Sequence, residues 1–265
     1  MGAAWRPMIA ALALGLAGAA EAADLDPICP DRPAKGTGTC TVPAGHAQVE
    51  TGLVDWTHDR TGGLTGDYTV IGATLLKYGI SSRADIELGF VPYETVRLKS
   101  GDFHERSSGI GDMVVRTKVR LTGDNSPVQI AIDPYVKIPT AKHDLGNRKV
   151  EAGLTVPLAL SLGGPFSLAS APEIDLRSDV DGHGYHPAMT QLIDLGIAAS
   201  PRLSFTVELW EQWDWNPGTT VKQFSADAAV AYLLSDNAQI DAGANFGLNR
   251  QTPDLELYSG VSVRF

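Results

Sequence analysis

Charged side chains recur at every second position in several segments of the chain, and this spacing puts them on one face of an extended strand. The set comprises Asp85, Glu87, Asp112, Arg116, Lys118, Arg120, Asp133 and Lys137. If neighbouring segments pair in register, four opposite-charge pairs form: Asp85 with Arg120, Glu87 with Lys118, Arg116 with Asp133, and Asp112 with Lys137. Cross-strand pairs of opposite charge attract each other, so the pattern predicts a ladder of ion pairs.

The elements that would hold these charges are β-strands, because apolar residues alternate with polar ones at a period of two. Such segments cover 45–58, 66–78, 83–97, 112–121, 128–138, 150–162, 166–177, 187–199, 202–209, 221–234, 239–249 and 255–265. The stretch between Glu151 and Glu173 carries no charge, but Pro157 and a Gly163–Pro165 turn argue against a membrane helix there. We therefore predict an all-β fold of about twelve antiparallel strands, each long enough to cross a bilayer obliquely.

The connections between these strands alternate in length. Short turns are predicted at 79–82, 123–126, 163–165, 200–201 and 235–237, and longer polar loops at 59–65, 99–108, 141–149, 178–186 and 216–220. Short turns on one side and long loops on the other are typical of outer-membrane barrels. An even strand number places both chain ends on the periplasmic side.

The two ends of the chain carry export and assembly signals. Residues 1–22 have one cation, an apolar run and a small-x-small cleavage site, which predicts a signal peptide rather than an anchor helix. The last strand alternates Val261, Val263 and the terminal Phe265, which resembles the signal that barrels present to their assembly machinery. We expect a transmembrane β-barrel over 45–265 in the bacterial outer membrane, with membrane lipids and the assembly machinery as partners.

A soluble β-sandwich or closed soluble barrel would also alternate. It would have to bury about twelve apolar rows in one small interior, whereas a membrane barrel turns those rows to lipid and the charges to its lumen. The net charge of −10 argues against a nucleic-acid partner.

Residues 23–44 form an N-terminal periplasmic segment that holds both cysteines, Cys29 and Cys40. In an exported chain a close pair predicts a disulfide, and a metal site is the weaker alternative because half of its ligands are missing. This segment could close the periplasmic mouth as a small plug.

The ladder of ion pairs allows two interpretations. It could act as a charge filter that orients a polar solute, or its partners could neutralise each other and brace a narrow interior, which is the simpler reading. No residues predict catalysis, a metal site or a cofactor. His143, His183 and His186 fall in loops with Asp144, Asp179 and Asp181, where solvated side chains are the simpler interpretation.

Several ordered motifs carry a family resemblance. Asp31-Arg32-Pro33 is followed by a V-P-x-G-x-x-Q-x-E-T-G pattern over 42–52, and further matches lie at 75–79, 84–89, 108–112, 136–140 and 256–260. The chain resembles the outer-membrane transporter family named for the MetA-pathway of phenol degradation. The resemblance implies a barrel that passes small compounds, including aromatic ones, and supplies no catalytic residues.

We therefore expect a passive outer-membrane channel for small solutes. One alternative is a closed structural or loop-presenting barrel without transport. Another is an outer-membrane lipid hydrolase, although no Ser and His are expected at matching depth with an orienting third group.

Overall fold

The computed structural model describes residues 25–142 and 145–265. The predicted signal peptide, together with His143 and Asp144, lies outside the described residues. Within the described part of the chain the regular structure is entirely β, and no helix there is long and apolar enough to cross a membrane.

Seventeen strand segments follow one another in a single antiparallel sheet. They are β1 (Ala47–Thr61), β2 (Leu64–Ile71), β3 (Ala73–Ser81), β4 (Ala84–Phe90), β5 (Tyr93–Ser100), β6 (Phe103–Gly109), β7 (Met113–Arg120), β8 (Val128–Ile138), β9 (Glu151–Thr155), β10 (Leu158–Gly163), β11 (Phe166–Ser170), β12 (Glu173–Ser178), β13 (Tyr185–Ala198), β14 (Leu203–Asn216), β15 (Thr219–Ser235), β16 (Ala238–Gly247) and β17 (Leu255–Arg264).

Five pairs of consecutive segments each form one interrupted crossing, so the seventeen segments make twelve crossings. The pairs are β2–β3, β4–β5, β6–β7, β9–β10 and β11–β12. Three of the interruptions contain Pro92, Pro157 or Pro172, each of which lacks the N–H that a ladder requires. Pairing of β1 with β17 closes the sheet, which leaves no free edge and confirms the predicted barrel of about twelve strands.

The alternation of side chains sorts them between lipid and lumen. On β14 the outward-facing Phe205, Val207 and Leu209 are 42%, 52% and 60% exposed, whereas Glu208 between them is 2% exposed. Buried polar and charged residues outnumber buried apolar ones across the described chain. The core of the molecule is therefore a polar lumen, and the apolar rows form its outer surface, as an outer-membrane barrel requires.

Three of the predicted long loops differ from the structure. Strands extend across 59–65, 99–108 and 216–220 as hairpins with two-residue turns, where Thr61 faces Leu64, Ser100 faces Phe103 and Asn216 faces Thr219. Glycines with positive φ permit these tight turns at Gly62, Gly63, Gly101 and Gly218. The polar residues that suggested loops therefore belong to paired strands, which extend beyond the apolar band of the barrel.

Candidate functional site: a plugged lumen

The N-terminal segment crosses the lumen, and we call residues 25–44 the plug segment. Asp31 contacts Lys118 on β7, Arg32 contacts Asp241 on β16, and Lys35 contacts Ser225 on β15. Because β7 lies far from β15 and β16 around the barrel wall, only a segment inside the barrel can touch all three strands.

The plug segment is a closed loop with both ends at the short-turn side. The predicted disulfide joins Cys29 to Cys40 at its base. The Ile28 amide donates to the Asp236 carbonyl in the turn before β16, and Ala44 bridges Gly79 near the end of β3. The tip around Lys35 and Gly36 therefore points from the short turns toward the middle of the barrel.

One side of the loop is held by a mixed-charge cluster, which comprises Asp31, Glu50, Lys77, Glu87 and Lys118. The Asp31 carboxylate accepts hydrogen bonds from Lys77 at 2.5 Å and from Lys118 at 2.6 Å. Glu50 lies 2.7 Å from Lys77 and also accepts the Asp31 and Arg32 amides at 3.0 and 3.2 Å. Burial alone would raise the pKa of Asp31, but the two ammonium groups outweigh it and hold that pKa well below its ordinary value.

The other side of the loop carries cations that meet carboxylates of the wall. The Arg32 guanidinium binds both oxygens of Asp241, at 2.8 and 3.2 Å. This approach needs Gly260, because a Cβ there would lie 2.2 Å from Arg32 Nε. Lys35 donates to Ser225 Oγ at 2.8 Å, and its Nζ lies 3.4 Å from Asp227 Oδ2.

The residues of the predicted ladder all lie on β4, β7 and β8 or next to them. Three of the four expected pairs are ion pairs: Glu87–Lys118 at 3.6 Å, Arg116–Asp133 at 3.7 Å and Asp112–Lys137 at 3.2 Å. The fourth is not formed. Asp85 accepts the Val42 amide of the plug segment at 2.8 Å, and Arg120 pairs with Asp124 at 2.5 Å.

The strand register explains the missing pair. Asp85 lies opposite Lys118 and Glu87 opposite Arg116, a shift of two residues from the register assumed in the sequence analysis. The tight turn at Gly101–Asp102 sets this register, because Ser100 already faces Phe103. In the three ion pairs that do form, each partner lies two residues away from the position directly opposite. Long charged side chains can span this diagonal distance between strands.

A second row of lumenal residues runs across the opposite wall, and we call it the acidic row. It comprises Asp194 (β13), Glu208 (β14), Asp227 (β15), Asn245 (β16) and Glu256 (β17), each the direct cross-strand partner of the next. This row was not predicted from the sequence. The sequence feature that could have revealed the row is an acidic or amide residue on the polar face of each of the last five strands.

Three cavities follow one another along the lumen. The first, about 690 Å³, is lined near the long-loop end by residues such as Tyr135, Arg177 and Asn216. It shares Val114 and Arg116 with the second, about 280 Å³. The second shares plug residues 31, 32, 34, 36 and 37 with the third, about 530 Å³, which borders Pro165 and Ala198 at the short-turn end. The plug segment therefore narrows the lumen between the second and third cavities.

Two of the three predicted loop histidines, His183 and His186, lie within the described residues. His186 lies between Asp179 and Asp214, at 2.8 Å from each. His183 is in the loop before β13, and no group of three or more metal-ligating side chains is found among the residues that the structure describes.

Several solved structures are similar to this barrel. The outer membrane channel COG4313 from Pseudomonas putida F1 superposes with a TM-score of 0.69 at 16% identity, covering 88% of this chain and 100% of that chain. The NanC porin gives 0.52 at 8% identity, covering 82% and 98%. The β domain of the Bordetella autotransporter BrkA gives 0.52 at 12% identity, covering 84% and 100%. No curated protein matches the chain by sequence.

A family profile matches residues 30–265 of the 265-residue chain. The match begins inside the plug segment and runs through the last strand, so it covers both the barrel and most of the segment that fills it. With the closed barrel and its lipid-type exterior, this match identifies the chain as an outer-membrane β-barrel protein that belongs to the family described as "Putative MetA-pathway of phenol degradation".

Proposed function

We propose that the protein is a passive channel for small solutes, and that the plug segment controls its opening. The observation that carries the proposal is the series of three cavities, which runs from the loop end to the short-turn end and shares lining residues at each junction. A structural barrel has no need for a series of cavities of this size. Solutes would move down their gradient.

The way in which the plug segment is held supports a reversible barrier. Many of its contacts with the wall are ion pairs and hydrogen bonds, among them those of Asp31, Arg32 and Lys35. Its apolar contacts include those of the buried Ile28 and Val42 and the packing of Gly36 against Leu192. Polar contacts can be exchanged for water at modest net cost. The side of the segment that carries Arg32 and Lys35 can therefore leave the wall without unfolding the barrel, while Asp31 stays in the mixed-charge cluster.

Arg116 is the residue of the predicted ladder that we place in the solute path. It borders the first and second cavities, and its side chain is 30% exposed although Asp133 pairs with it. We propose that Arg116 filters charge, while the more buried pairs brace the wall. Arg116→Ala should change the ion selectivity of the channel, and Arg83→Ala, which removes an exposed turn cation, should not. Unchanged selectivity with lowered stability would assign Arg116 to bracing.

The partners expected from the sequence belong to the same proposal. Val261, Val263 and Phe265 share the outward face of the last strand, and Phe265 is 72% exposed, so lipid and the assembly machinery can reach them. Phe265→Ala should reduce the fraction of folded barrel recovered from outer membranes. Equal recovery of the variant would remove Phe265 from the assembly signal.

Liposome swelling tests the channel itself. Liposomes with the purified mature protein should swell in small neutral and aromatic solutes faster than protein-free liposomes, and the rate should fall as the solute becomes larger. The matched control is the same protein after heat unfolding. No swelling with any solute, from a preparation that resists protease as a folded barrel does, would favour the closed structural barrel. Lipid hydrolysis by the same preparation would favour the enzyme.

A further inference from the structure

The acidic row is not neutralised by the wall that carries it. Three of its carboxylates, Asp194, Glu208 and Asp227, are direct neighbours across adjacent strands, where like charges repel. Asn245 separates Asp227 from Glu256 and donates a hydrogen bond to Glu256 at 2.7 Å. Among the described residues, Lys35 supplies the one cation within 4 Å of any of them, through Asp227. The row therefore holds more carboxyl groups than the plug segment supplies cations.

Glu208 is the clearest sign that a positive group is missing. It is 2% exposed, and neither carboxylate oxygen has a hydrogen-bond partner among the described residues. It lies directly opposite Asp227, so it faces the position that the Lys35 ammonium approaches. A buried carboxylate without a partner is costly, and a cation placed beside it would relieve that cost.

The position of Lys35 shows which kind of cation fits. Its Nζ donates to Ser225 Oγ, lies 3.4 Å from Asp227 Oδ2, and sits 4.3 Å from the centre of the Trp210 ring. Hydrogen-bond acceptors beside an aromatic face are the elements that recognise an ammonium group. A cavity of about 240 Å³ adjoins this point and is bordered by Trp210, Asn245 and Glu256, so there is room for a small organic group behind the ammonium.

We propose that the acidic row and Trp210 form a binding site for a small organic ammonium ion, which Lys35 occupies while the plug segment is in place. The proposal rests on the proposed channel function, because a solute must enter the lumen to reach the row. An incoming primary ammonium would donate its hydrogen bonds to Ser225, Asp227 and Glu208 and take the place of Lys35. The site would favour amines over neutral or acidic compounds of the same shape.

Binding to the full-length mature protein in detergent tests the site. The probe is benzylamine in its protonated form, and benzyl alcohol is the uncharged compound of matched shape. We expect calorimetry to detect benzylamine and not benzyl alcohol. Lys35→Met removes the internal competitor and should strengthen benzylamine binding at least fivefold. Equal binding of the two compounds, or no gain with Lys35→Met, would overturn the proposal.

Variants of the site itself sharpen the result. In the Lys35→Met background, Asp227→Asn should weaken benzylamine binding at least tenfold, and Trp210→Leu, which keeps every charge, should weaken it severalfold. Asp102→Asn removes one carboxylate from an exposed turn and should leave binding unchanged. If Asp227→Asn does not yield folded barrel, Trp210→Leu decides alone, and unaltered binding in that variant counts against the site.

Ion selectivity separates this proposal from the channel on which it rests. In planar bilayers, the ratio of cation to anion permeability should fall in Glu208→Gln relative to the parent protein. No current from any variant would contradict the channel, while the calorimetric result would still decide the ammonium site. If Glu208→Gln conducts with the selectivity of the parent protein, and benzylamine and benzyl alcohol bind equally well, the ammonium site is rejected. The channel function is then retained.

Discussion

The mixed-charge cluster and the acidic row occupy opposite sides of the same lumen and differ in how their charges are compensated. In the cluster, Lys118 is fully buried and lies within 4 Å of both Asp31 and Glu87. In the acidic row, Glu208 is almost as deeply buried and has no such partner. Buried ion pairs that satisfy one another hold structure together, whereas an uncompensated buried charge is available for a ligand.

The plug segment takes part in both regions with opposite charges. Its anion, Asp31, inserts between the two lysines of the cluster, and its cations, Arg32 and Lys35, reach carboxylates on the other side. The segment is therefore fixed at one side and exchangeable at the other. This difference predicts that substitutions in the two regions have unequal effects.

The largest effect on stability is expected for Lys118→Met. The substitution keeps an unbranched side chain one atom shorter but leaves Asp31 and Glu87 buried without this ammonium, and breaking a buried pair on one side costs about 3–5 kcal/mol. Urea unfolding in detergent, followed by tryptophan fluorescence, measures the loss. Lys99→Met, at an exposed position, is the control. A loss no larger than the control would mean that the cluster does not brace the barrel.

An intermediate effect is expected for Cys29→Ser combined with Cys40→Ser. The disulfide closes a loop of about a dozen residues, and such a constraint stabilises by about 2–3 kcal/mol in the chain-entropy model. Here the loss falls on the plug segment and not on the barrel. Bilayer recordings should show more frequent openings, and a reducing agent should reproduce them in the wild type only. Openings unaffected by either treatment would mean that the loop is fixed by its wall contacts alone.

The smallest effect on stability is expected for Glu208→Gln. It removes a buried charge that has no partner, so the free energy of unfolding should stay the same or rise by about 1 kcal/mol, in contrast to Lys118→Met. The same urea titration measures it. A loss comparable to that of Lys118→Met would show that Glu208 has a structural partner and that the two regions do not differ.

Most of the fold was predictable because the period of two is a local property. On β14, the alternation of residues such as Leu209 and Glu208 already separates the face that points to lipid from the face that points to the lumen. The two cysteines that follow the predicted export signal predicted the disulfide. The register was not predictable from β4 and β7 alone, since the turn at Gly101–Asp102 that sets it was predicted as part of a loop. To predict the acidic row, the register of all four strand pairs from β13 to β17 would have to be known at once.

The contacts of the plug segment could not be derived from its own sequence. Asp31, Arg32 and Lys35 lie within five residues of one another, yet their partners are up to 209 positions away along the chain. Their charges are informative only when the closed barrel brings Lys118 and Asp241 around them. The cysteine pair indicated a compact loop, and the closed wall determined where that loop binds.

The conductance of single barrels with the whole plug segment and with most of it removed tests the central claim most directly. Planar bilayers would compare the mature protein with a variant that lacks residues 24–40, after both have been shown to migrate as folded barrels before heating. The account predicts brief or small currents for the mature protein and a sustained conductance at least severalfold larger for the deletion variant. Equal conductance of the two proteins, whether open or sealed, would contradict it.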